Sequence, residues 1–144
     1  MANLKNILEL KMIRVDKERL AESEAELIKP ALTDLSLIPM LYNWFVEISG
    51  KTETMTHEKV LQRKKFLFIL LCLYSPRYFA GYRMCDGLRD AMFKVMDYKS
   101  PSCISDMCRD ITDMCDYYKS VRRGISHIYD MMLERLRDGR YIAD

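Results

Sequence analysis

Apolar residues recur along this chain at intervals of three and four, separated by short polar or proline-containing breaks, and the pattern predicts five or six helices. Residues 3–28 read as a first helix: Leu4, Ile7 and Leu8 open it, then Ile13, Leu20 and Leu27 recur every seven residues among charged neighbours. A narrow apolar seam with charged flanks suits packing on the rest of the domain or pairing with a partner helix, and the first is the leading expectation. Pro30 ends this helix. Thr33 or Asp34 is placed to cap the next segment, where Leu37, Ile38, Leu41, Trp44, Phe45 and Ile48 make one apolar face before Gly50. After a polar loop over 50–56, Thr56 is placed to cap a helix reaching about Tyr74, stopped by Ser75-Pro76. Its start, Gln62-Arg63-Lys64-Lys65, gives way to a uniformly apolar half, which predicts the centre of the core.

Residues 76–86 read as irregular or a short helix, with Tyr78, Phe79 and Tyr82 available for aromatic packing. A helix follows from Asp86-Gly87 to about Met96, with Leu88, Ala91, Met92 and Val95 on one face. After a break over 97–101, Ser100 suits an N-cap and Pro101 the first position of a further helix. That helix has the clearest periodicity of all, through Ile104, Met107, Cys108, Ile111, Met114, Cys115 and Tyr118. A last one, from about Tyr118 to Arg137, carries Val121, Ile125, Ile128, Tyr129, Met132 and Leu136. The expectation is one all-α domain over 1–144, a compact bundle with an N-terminal helix (1–28) and a helical core (29–144).

Composition agrees. A chain of 144 residues is long enough to bury roughly 70% of its unfolded surface. Its 49% hydrophobic and 31% charged residues exclude a disordered tail, and five Gly with four Pro disfavour a sheet of many hairpins. The most apolar run, Phe66 to Tyr74, is about half of what a bilayer span needs, so no membrane partner is expected. Five cysteines at irregular spacings, with no secretory signal ahead of them, point to reduced thiols in a cytoplasmic protein. The formal charge of +2 hides an uneven distribution: residues 1–58 are net −3, residues 59–100 net +6 and residues 101–144 net −1. A basic middle can attract an anionic partner.

Chemistry is sparse. His57 and His127 stand seventy residues apart, and no phosphate loop, nucleophile elbow or metalloprotease motif is present. Asp106, Asp110 and Asp113 share one helical stripe but have no histidine near them, which reads as a solvated acidic face. Cys103, Cys108 and Cys115 are spaced five and seven apart, unlike zinc-binding pairs, and Cys108 and Cys115 fall on the apolar stripe. The reading is a binding protein, not an enzyme, with no metal and no cofactor.

The segment over 87–117 has the layout of a helix-turn-helix: a helix, a short break, and a second helix opened by Ser100-Pro101-Ser102. Ala91 suits the crossing of the two helices and Ile104 the inward anchor. Lys99, Ser100, Ser102, Ser105 and Arg109 are the candidate contacts to phosphates or base edges, with Lys64, Lys65, Arg89 and Lys94 as backbone contacts. The stretch from Met96 to Ile111 resembles the recognition-helix region of the DNA-binding domain of the bacterial replication initiator, and is similar to the tryptophan repressor. That resemblance implies that Lys99, Ser102 and Arg109 contact double-stranded DNA while Ile104, Cys108 and Ile111 pack inward. The competing reading is a helical interaction module or assembly subunit, for example of a phage or mobile element, that associates through Ile13, Leu20 and Leu27. Eleven methionines fit such adaptable contact surfaces.

Overall fold

The computed structural model describes residues 3–50, 56–96 and 100–143, except the side chains at 56–58 and 101. Among the described residues there are six α-helices and no strand: α1 (Leu4–Leu27), α2 (Ile38–Ser49), α3 (Thr56–Tyr74), α4 (Leu88–Met96), α5 (Pro101–Tyr117) and α6 (Lys119–Asp138). Two 3-10 turns, Leu35–Leu37 and Pro76–Ala80, precede α2 and follow α3.

The expected centre is the centre. Phe66, Leu67, Ile69, Leu70, Leu71 and Leu73 of α3 are all fully buried. Four of the other helices pack around them by most of the stripe their sequence pattern marks: Ile38, Leu41 and Phe45 from α2, Ile104, Cys108 and Ile111 from α5, and Leu88 and Met92 from α4, where Met96 is buried as well while Ala91 and Val95 stay half-buried; Tyr118, expected on the α5 face, is exposed. From α6 come Val121, Ile125, Ile128, Met132 and Leu136. Three buried side chains, each four residues from the next, are enough to orient a short helix such as α4, because most helical stability in a protein comes from the packed face.

Local chemistry sets several boundaries. Asp34 caps the first 3-10 turn, accepting from the Ser36 N–H at 3.0 Å. Ser100 caps α5, accepting from the Ser102 N–H at 3.3 Å, and the helix then begins at Pro101. Gly50 ends α2 at φ +77°, a left-handed value that suits a residue without Cβ. The Thr56 cap lies outside the described side chains. Ser75 is the buried polar residue that stops α3, and its hydroxyl accepts from the Cys85 N–H at 3.0 Å, closing the 76–84 segment back onto the helix end.

The first helix departs from expectation. The leading prediction had its seam packed on the domain, yet α1 has no buried residue. The linker after it is docked: the Ala31 and Leu32 N–H groups donate to the Leu73 carbonyl at 2.9 and 3.0 Å, and Leu32 is buried. Among the described residues α1 meets the 3-10 turn after α3, and its Glu24 lies near enough to the Tyr82 phenol to raise that group's pKa. The apolar surface of α3 is packed instead by α2, α4, α5 and α6. No helix among the described residues is long and apolar enough to cross a membrane.

Candidate functional site

The described residues expected to meet DNA lie on α3, α4, α5 and the cap before α5. Burial of Ile104, Met107, Cys108 and Ile111 fixes the rotation of α5, and with it which side chains reach solvent. The exposed face holds Ser102, Asp106, Arg109, Asp110, Asp113 and Asp116. Arg109 thus shares its face with four aspartates, and its guanidinium pairs with the Asp106 carboxylate one turn back at 2.5 Å. By helical spacing Ser102, Ser105, Arg109 and Thr112 form a stripe beside the acidic one, but the two do not stand apart. Ser105 and Thr112 turn onto the half-buried flank, where the Thr112 hydroxyl donates to the Cys108 carbonyl at 2.8 Å.

The backbone-contact candidates separate in the same way. Lys64 reaches across to Asp110 of α5 at 3.5 Å. Lys65 turns to α6 instead, so close to Gly124 that a Cβ there would stand 3.2 Å from its Nζ, and burial lowers its pKa. Arg89 and Ser105 line one cleft of about 340 Å³ together with Tyr78, Arg83, Asp86 and Asp90, where two arginines face two aspartates without net charge. Lys94 sits on a different groove, of about 690 Å³, floored by Leu35, Ile38, Pro39, Ala91 and Val95. Ser100 and Ser102 are engaged with each other in the cap, their hydroxyl oxygens 2.8 Å apart. Lys99 lies outside the described residues.

Cys103 is exposed, whereas Cys108 is buried and Cys72, Cys85 and Cys115 are half-buried. Cys72 and Cys108 have their pKa values pushed up to about 12, chiefly by burial. Among the described residues no three His, Cys, Asp or Glu side chains come together as a metal site would require.

The large unsatisfied surface is α1. Nine of its apolar side chains, from Leu4 to Leu27, are 45–77% exposed. Ile13, Leu20 and Leu27 lie on one seam, as the heptad spacing predicts, and all three face solvent. The sequence pattern also holds a feature that the seam alone does not capture. Seven of the twelve residues over 4–15 (Leu4, Ile7, Leu8, Leu10, Met12, Ile13 and Val15) are large and apolar, and they surround the helix rather than stripe it. A helix apolar all round is normally a buried one. The signal that finds them is the mixed spacing, Leu8, Leu10 and Met12 alternating within one helical segment.

The charges on α1 are also unusual. Residues 4–14 are net +2 and residues 15–27 net −3, with no acidic residue in the first turn and no basic residue in the last. A helix standing alone gains from the opposite arrangement, because its dipole is positive at the N-terminus and negative at the C-terminus. Its internal ion pairs, Arg14–Glu18 at 3.4 Å and Arg19–Asp16 at 3.6 Å, are exposed and contribute little. Comparison with protein-family models, curated proteins and solved structures finds no match for this chain.

Proposed function

We propose that this protein is a helical association module: a five-helix core that carries α1 as an arm for protein–protein contact. The observation behind this reading is the unburied α1, which exposes nine large apolar side chains, seven of them concentrated over 4–15, and so much exposed apolar surface marks an interaction site. Such a segment, fully solvated, bears the cost of exposing apolar surface without any return from packing, and a 24-residue helix in isolation is stabilised little by propensity alone. Partner contact supplies the missing burial.

The same geometry disfavours the DNA-binding alternative at α5. A recognition helix gains affinity by neutralising phosphates, whereas the exposed face of α5 carries four aspartates against one arginine. The association reading is tested by placing a photo-crosslinking residue at Leu8 or Leu20 of α1, or at the exposed Ser126 of α6, in the protein's native cells. Protein adducts are expected at the α1 positions and not at Ser126. Equal adduct yields at all three positions overturn the reading.

A further inference from the structure

We propose that the partner of α1 is a second copy of this chain, paired antiparallel along α1; this rests on α1 being the association arm. Charge complementarity selects the occupant and its direction. Antiparallel pairing sets the +2 half of each helix against the −3 half of the other, and it also opposes the two helix dipoles. Parallel pairing sets +2 against +2 and −3 against −3. The inverted charge pattern that penalises α1 alone therefore becomes favourable in the pair.

The apolar residues fit the same arrangement. Ile13 and Leu20 are seven residues apart, so a two-fold antiparallel register sets each Ile13 against Leu20 of the second copy; it brings Lys11 level with Glu22 and Asp16 with Lys17, against Arg14 level with Arg19 and Glu9 with Glu24, and leaves Leu27 level with Asn6. In that register the N-terminal end of one α1 arrives at the base of the other. There Phe79 and Tyr82 stand exposed beside the end of α1. They supply additional apolar cover for Leu4 and Leu8, which explains why the N-terminal half is apolar all round while the C-terminal half needs only a seam. Two helices about 36 Å long, each covering half of its ~10 Å-wide cylinder, bury on the order of 1,100 Å² in total. Contact with Phe79 and Tyr82 brings this into the range of roughly 1,200–2,000 Å² typical of stable interfaces.

The test uses the full chain in a Cys103→Ser background, with Ile13→Cys and Leu20→Cys introduced separately. Sedimentation of the chain over a concentration series is expected to show a monomer–dimer equilibrium. Leu20→Asp is expected to abolish the dimer while leaving circular dichroism and the urea midpoint of the bundle in place, since Leu20 touches no core. Oxidation is expected to cross-link a mixture of the two cysteine variants and neither variant alone, because like positions lie about 10 Å apart along the antiparallel pair. A monomer at every concentration overturns the second copy as partner, and adducts at Leu8 or Leu20 with other proteins would still leave the association arm standing. A dimer indifferent to Leu20→Asp overturns α1 as its interface. Cross-linking of either single variant overturns the antiparallel direction.

Discussion

The Tyr74 hydroxyl at the end of α3 donates to the Asp34 carbonyl at 2.7 Å, joining the core helix to the linker from which α1 departs. Tyr74 is 3% exposed, and burial, followed by the nearby Asp34 charge, holds its phenol in the neutral donor form. With the two bonds to the Leu73 carbonyl, it fixes where the first helix leaves the bundle.

Tyr74→Phe should therefore lower the unfolding free energy by about 1 kcal/mol, the net value of one such bond when the freed carbonyl lies near solvent. Urea melts of the two proteins measure this. A change below a few tenths of a kcal/mol would mean that the bond does not hold the linker.

The contrast between core and arm gives a second expectation. Leu70→Ala, in the middle of α3, should cost about 2–5 kcal/mol, because it removes a fully buried side chain and leaves a cavity. Leu20→Ala, on a side chain 62% exposed, should move the urea midpoint of dilute protein by no more than about 0.5 kcal/mol. Comparable losses would show that α1 belongs to the folded core. The same contrast shows what was legible in sequence. Leu70 announces its burial because its neighbours are apolar on every side, whereas Leu20 carries an identical local signal for packing inside a domain or against another chain.

Alkaline pH should destabilise the bundle. The Cys72 and Cys108 thiols have folded pKa values near 12, above their ordinary 9.0. A raised acid pKa means that stability is complete below the unfolded value and is lost as pH climbs toward the folded one. The loss should begin at about pH 9 and approach roughly 1.4 kcal/mol per pH unit for each thiol. Tyr74, Tyr78 and Tyr129, all raised by burial, act in the same direction above their ordinary 10.0. Urea midpoints from pH 7 to 11 measure the slope, and a Cys72→Ala, Cys108→Ala double variant should flatten it. A flat profile in the unmodified chain contradicts the burial of these thiols.

Duplex DNA should bind weakly if at all, with a dissociation constant above the ~10⁻⁴–10⁻⁶ M range of ordinary non-specific binders at physiological salt. Replacing Asp106, Asp110 and Asp113 by Asn should strengthen binding, since it frees Arg109 and Lys64 from their carboxylate partners and unmasks the positive charge of α5. Fluorescence anisotropy over a salt series reads both. Micromolar binding by the unmodified chain, lost on Arg109→Ala, would restore the helix-turn-helix reading.

The sequence by itself determined the helical class, the centre of the core and most helix boundaries. These follow from short-range causes: the spacing of apolar residues, the Asp34 and Ser100 caps, and the stops at Gly50 and Ser75-Pro76. Tertiary structure alone decided the surfaces. The rotation of α5 about its axis, set by burial of Ile104, Cys108 and Ile111 against α3, puts Arg109 among aspartates. Lys64 and Lys65 are adjacent in sequence, yet α3 passes between α5 and α6 and sends one to each. That α1 has no buried residue is likewise a fact of packing over the whole chain, which no local pattern encodes.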